Sequence, residues 1–306
     1  MRIRALISTA AILPSLASAA APVHLQPSSP WVVDYAENSC RLIRHFGQGK
    51  DSVIFALESE APDAVDMLIS GKPLATSSQE VPAKFLPLQT KPMLGWVGQS
   101  TDNGDPLVLW SKDVRLLPDD AMAAEERREA ERKRHPGIRP PAVSVAEPAE
   151  RKAQRQAFAS SITAMEIDAR RSRPVILDTG SLGAAIKTFD DCVRYSLRDW
   201  GVNPDVEDKI VRPVWAPNPW SWFSANDYPR NMVMRGQESV VKIRVLVDAM
   251  GRVTKCTSIS HFKEPEFNKI TCAKFMERGR FEPAELADGT KVPSYYVNKV
   301  IFRLAP

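Results

Sequence analysis

Ser239-Val240-Val241-Lys242-Ile243-Arg244-Val245-Leu246-Val247-Asp248-Ala249-Met250-Gly251-Arg252 is the stretch on which the fold turns. Val240, Ile243, Val245 and Val247 give it the rhythm of a strand. Asp248 to Gly251 then reads as a tight turn, with Gly251 free to take a positive φ. Arg252 to Ile259 is the returning strand. Glu264 to Arg278 follows as a helix, with Phe267, Ile270, Thr271 and Phe275 at core-facing spacing and Gly279 as its stop. Tyr295 to Leu304 is a third strand, so the order at this end is β-β-α-β.

Upstream, residues 202–226 show little periodicity. Pro213 to Phe223 alternates prolines with four large aromatics, a stiffened segment that packs against a domain rather than standing in water. Leu182 to Trp200 reads as a helix, with Ile186, Phe189, Val193, Leu197 and Trp200 near one face and Gly201 at its end. Pro174-Val175-Ile176-Leu177 is a short buried strand. Asp119 to Arg134 interleaves Glu with Arg and Lys and reads as a solvated helix held by ion pairs one turn apart. Prolines 136, 140, 141 and 148 break the chain after it, and Glu150 to Ser160 resumes a polar helix. Residues 31–117 read as antiparallel hairpins: Trp31–Val33, Cys40–Phe46, Ser52–Leu57, Val65–Ser70, Lys84–Gln89, Leu94–Val97 and Leu107–Trp110, with Asn103-Gly104-Asp105-Pro106 as a turn. Residues 22–30 are a polar leader. Met1-Arg2-Ile3-Arg4, an apolar run from Ala5 to Leu16 and Ala17-Ser18-Ala19 form a secretory signal over 1–20, too short and too broken by Pro14 to span a bilayer.

The chain of 306 residues, 25% charged and 43% hydrophobic, has ordinary globular composition, which excludes a wholly disordered or fibrous chain. A formal charge of +4 implies no nucleic-acid partner.

The C-terminal region resembles the TonB C-terminal domain. The features that carry the resemblance stand in order: Tyr228-Pro229, then Val240 to Val245, Val247-Asp248-Ala249-Met250-Gly251-Arg252-Val253, the helix, Arg280-Phe281-Glu282-Pro283-Ala284, and Asp288-Gly289-Thr290-Lys291-Val292-Pro293 leading into the last strand. The Trp-Phe and Tyr-Pro lead-in with a cysteine pair is similar to TonB-like proteins of alphaproteobacterial type. The family's N-terminal membrane anchor and long Pro-Glu/Pro-Lys linker have no counterpart here; a cleavable-looking signal and a folded region of about 170 residues stand in their place. The resemblance implies binding of an extended peptide, such as the Ton box of an outer-membrane receptor, by strand addition at a sheet edge. It implies the last strand as that edge, with Tyr295, Tyr296, Val297, Asn298, Lys299 and Val300 as candidates, and Tyr228 and Pro229 beside the partner. Alternate residues of the strand must still face the core.

Four Cys in an exported chain suit two disulfides. Cys256 on the second strand and Cys272 on the following helix are within bridging reach through a short connection. Cys40 and Cys192 then remain, and pairing them makes 31–200 one domain with a charged, proline-rich insertion at 118–160. No metal site is expected, since no paired Cys or His spacing occurs, and no small-molecule cofactor. Val175-Ile176-Leu177-Asp178-Thr179-Gly180-Ser181 matches one half of an aspartic-protease site, but that chemistry needs a second carboxylate; the alternative is Asp178 or Thr179 as a turn or N-cap residue. Ser258, Ser260 and His261 are close in sequence without a nucleophile-elbow pattern.

The fold class expected is α+β: a β-rich N-terminal domain with a packed helix (31–200), a Pro/Trp-rich linker (201–226) and a TonB-like β-β-α-β domain (227–306). The function expected is that of a non-enzymatic, periplasmic interaction protein, with an outer-membrane TonB-dependent receptor or another envelope protein as partner. The alternatives are a membrane-anchored energy transducer that keeps its signal as an anchor, an envelope structural module, and an enzyme using Asp178.

Overall fold

The computed structural model of the protein describes residues 21–304, apart from 63, 99–103, 111–113, 115, 136, 145, 170–172 and 260–264. The signal segment, Asn103 of the expected turn, and Ser260 and His261 therefore lie outside the described residues.

The N-terminal part is one ten-stranded sheet. Its strands are β1 (Val23–Leu25), β2 (Val32–Tyr35), β3 (Cys40–Phe46), β4 (Val53–Ala61), β5 (Ala64–Ser70), β6 (Glu80–Leu86), β7 (Met93–Val97), β8 (Leu107–Trp110), β9 (Ala164–Ile167) and β10 (Val175–Leu177). Their order is β1-β10-β9-β6-β7-β8-β5-β4-β3-β2. The sheet curls back on itself, because the chain leaving β1 meets the end of β3: the Gly47 N–H donates to the Gln26 carbonyl at 2.8 Å and the Ser28 N–H to the His45 carbonyl at 2.9 Å. The inner face carries Leu42, Phe46, Phe55, Leu57, Met67, Ile69 and Phe85, all sealed from water.

Helices α1 (Asp119–Arg134) and α2 (Glu147–Ser161) fall between β8 and β9, and α3 (Gly183–Asp199) follows β10. α1 buries no side chain and is braced by pairs such as Lys133–Glu129 at 2.8 Å, as its alternating charge predicts. α2 buries Phe158 and Ala159. α3 buries Ile186, Phe189, Cys192, Val193 and Leu197, the stripe its spacing predicts. A disulfide joins Cys192 to Cys40 on β3, with Cα atoms 6.1 Å apart.

Three expectations need correction. Residues 22–30 are no free leader, since Val23–Leu25 pairs in parallel with β10; three residues are too few to show a strand period. The strand expected at Lys84–Gln89 runs from Glu80 to Leu86, because Gln89 turns back and its side chain accepts the Phe85 N–H at 2.9 Å. Neither Asp178 nor Thr179 caps α3, whose N-cap is Leu182.

The C-terminal part begins inside the expected linker. After α4 (Pro204–Glu207), β11 (Ile210–Arg212) pairs with the later β14 (Ala284–Leu286). Trp222 is buried, with its ring 5.5 Å from Phe275 and 4.9 Å from Phe281. Residues 210–226 thus fold onto the C-terminal core, because aromatics this large find apolar cover there. α5 (Arg230–Met234), β12 (Ser239–Val247), β13 (Val253–Ser258), α6 (Pro265–Arg278), β14, β15 (Lys291–Val292) and β16 (Ser294–Phe302) complete the chain. The main sheet has the order β13-β12-β16, all antiparallel. Val241, Ile243, Val245 and Val247 face α6, which returns Phe267, Thr271 and Phe275. Gly251 closes the hairpin at φ 79°, and a Cβ there would lie 1.9 Å from the Phe281 carbonyl oxygen. Cys256 and Cys272 are bridged, tying β13 to α6.

Candidate functional site

β12 is the middle strand, so β16 is an outer strand with one strand neighbour. The direction of its backbone follows from β12. The Lys242 carbonyl accepts the Ile259 N–H at 2.9 Å, on the β13 side. In an antiparallel sheet a residue whose main chain points to one neighbour points away from the other. Lys299, the mate of Lys242, therefore turns its main chain outward, and so by alternation do Tyr295, Val297 and Ile301. The Lys299 N–H accordingly bonds the Asn298 Oδ1, at 2.8 Å.

The side chains divide just as strictly. Ser294, Tyr296, Asn298, Val300 and Phe302 are the mates of Val247, Val245, Ile243, Val241 and Ser239, on the face toward α6. Tyr296 and Val300 pack on the core there. The Tyr296 ring sits 5.1 Å from Phe281, and burial pushes its hydroxyl pKa up to about 12. Tyr295, Val297 and Lys299 lie on the opposite face. The six candidates are thus one strand with two audiences.

Tyr228 is wedged between Phe267 and Phe302, at 5.6 and 5.5 Å, and its hydroxyl donates to the Gln237 carbonyl at 2.6 Å. Pro229 is the N-cap residue of α5. This corner is fixed by Asp227. Burial works to raise the Asp227 pKa, but the Ser224 N–H, Arg278 and Lys274 outweigh it and hold the carboxyl well below the usual carboxylate range. Arg278 also donates to the Trp222 carbonyl at 3.0 Å.

Two residues of β12 carry weight that the sequence does not announce. Lys242 and Arg244 occupy outward positions of the alternation, yet are only 6% and 3% exposed. The N-terminal sheet covers them. The Lys242 ammonium lies 2.6 Å from a Glu60 oxygen and 2.9 Å from Asp66. Burial alone would lower its pKa; the two carboxylates outweigh that and raise it. Arg244 donates to the Glu60 and Asn38 carbonyls and lies 3.7 Å from the Trp200 ring centroid. Burial pushes its pKa down to about 10, still charged at neutral pH. Leu246 and Tyr295 continue the seam against Leu197, Trp200 and Val202.

Asp178 meets an imidazole and an amide: His24 Nδ1 at 3.1 Å and Gln26 Nε2 at 2.5 Å. Among the described residues no cluster of three His, Cys, Asp or Glu is placed to hold a metal ion, and no helix is long and apolar enough to cross a membrane.

Residues 224–304 match the family model described as Gram-negative bacterial TonB protein C-terminal, a family of non-enzymatic envelope proteins. No curated protein matches the chain.

Proposed function

We propose that this is an exported, periplasmic TonB-like interaction protein that binds an extended peptide by adding it as a strand beside β16, in the service of TonB-dependent outer-membrane transport. The observation that carries the reading is the outward main chain of Val297 and Ile301 on an outer strand, within the segment that matches the TonB C-terminal model. Main-chain hydrogen bonds would hold the incoming strand, and its alternate side chains would meet the two faces of the sheet. Tyr228 and Pro229 act on the partner through the shape of the corner they build at Phe302.

A photo-reactive side chain at Asn298 in cells making the full chain tests this. The expected adduct is an outer-membrane receptor, and it disappears in a Val297→Pro variant. Val297 spends no N–H on β12, so the proline removes an outward donor with little harm to the fold. Recovery of only non-transporter proteins defeats the transport assignment. An adduct indifferent to Val297→Pro defeats strand addition. The mass of the exported chain separates the anchored alternative: an intact Met1 end defeats the reading of a soluble periplasmic protein and leaves the anchored transducer.

A further inference from the structure

We infer that the partner segment carries, beside the part that docks on β16, a large apolar anchor that seats on the outer face of the N-terminal sheet at Leu94 and Trp96. The inference rests on the strand-addition reading and adds the chemistry of the partner.

The sheet register supplies the first observation. Val32, Ile43, Ala56, Leu68, Leu109 and Trp96 are successive cross-strand mates from β2 through β3, β4, β5 and β8 to β7. Mates in register share a face, so these six make one apolar row, on the side away from the core. Trp96 is 53% exposed, and Leu94 on the same face of β7 is 48% exposed. Ile43, Ala56, Leu68 and Leu109 are half-buried, so the exposed part of the row on the β7 side is the adjacent pair Leu94 and Trp96; two large apolar side chains exposed side by side at the end of an apolar row make a contact surface.

The interface between the two parts supplies the second. Arg244 meets Asn38, in the turn between β2 and β3, and Glu60 at the end of β4. Lys242 meets Glu60 and then Asp66 on β5. β12 therefore crosses this face in the direction β3, β4, β5, and the next strands in the sheet are β8 and β7. The next outward residue of β12 is Val240, and its mate is Ile301 on β16. Both are more than half exposed, at 53% and 57%. The continuing line of an established interface thus carries an exposed apolar pair, at the C-terminal end of the docking edge, toward Leu94 and Trp96.

The area selects the occupant. Four half-exposed side chains offer far less than the ~800 Å² per partner of a stable interface, too little for a second copy of this chain. A segment already held by main-chain bonds along β16 needs only such an addition.

The test places a benzophenone side chain at Trp96 in one full-length chain and at Asn298 in another, in the cells that make the protein, and identifies the adduct peptides by mass spectrometry. The expected result is one protein at both positions, with the two peptides within about ten residues of each other, an extended reach of ~33 Å, and a large apolar residue at the position-96 adduct. No adduct at 96, a different protein there, or a second copy of this chain overturns the inference. Trp96→Glu with the probe at Asn298 separates the two readings. A tenfold or greater fall in adduct yield supports the anchor, whereas an unchanged yield sinks the anchor and leaves docking intact. An adduct at 96 with none at 298 overturns docking and the inference together.

Discussion

The ten-stranded sheet and the β13-β12-β16 sheet treat their edges in opposite ways. The ten-stranded sheet curls until the chain after β1 bonds the end of β3, so much of its main chain is satisfied internally. The β13-β12-β16 sheet leaves β13 and β16 each with one strand neighbour. An open edge is a liability that proteins normally hide or blunt. The larger sheet hides much of its own, while the smaller sheet keeps β13 and β16 as outer strands and spends its outer face on the larger. What the chain leaves open is therefore more informative than what it buries. Among its described outer strands, β16 is the one in the segment that pairs residue for residue along the whole of β12, and its Lys299 N–H is bonded by the Asn298 side chain.

The contrast predicts where damage will be structural and where functional. The largest loss of stability is expected from Lys242→Met, which leaves Glu60 and Asp66 buried without their cation: about 3–5 kcal/mol by urea unfolding. Adding Glu60→Gln and Asp66→Asn should recover most of it, and a flat response to Lys242→Met would mean that the two parts are not held together by this contact. Reduction of Cys256–Cys272, or Cys256→Ala with Cys272→Ala, should cost about 3 kcal/mol, the chain-entropy value for a loop of this size. It should destabilise the smaller sheet more than the larger in hydrogen exchange. Asp227→Asn should mainly change the acid limb. The depressed pKa of Asp227 means that its contribution is complete above the ordinary carboxylate pKa of about 4 and is lost as the pH falls further. The variant should be weaker at pH 7 and fall less steeply below pH 4; an acid limb parallel to that of the parent would refute the role given to this carboxylate. Smallest in stability is Val297→Pro, expected to change unfolding by under about 1 kcal/mol while abolishing partner capture. A large destabilisation would mean that Val297 does bond β12 and that β16 is not turned outward as described.

Much of this architecture was legible in local patterns. The alternation Val241, Ile243, Val245, Val247, the Gly251 turn and the helical stripe through Phe267, Thr271 and Phe275 are written within a few dozen residues, and so is the stripe of α3. The outer strand was legible through the family pattern. Lys242 and Arg244 were not, because a polar residue at an outward strand position looks the same whether it meets water or, 182 residues away in sequence, Glu60. That the Pro/Trp stretch packs was legible from its aromatics, but which core covers it was not. Pro and Trp between 213 and 223 break local period, and the distant Phe275 and Phe281 decide where Trp222 is buried. β1 escaped notice because three residues carry no period, and its place is set by β10, about 150 positions later.

The Cys40–Cys192 bridge has a consequence of a topological kind. It turns the chain into a covalent ring of about 150 residues bearing two tails, and the charged helix α1 lies on that ring. A protease that cuts within 119–134 opens the ring without releasing a piece. The molecule would travel as one band until reduced, and would keep its C-terminal tail attached to both halves.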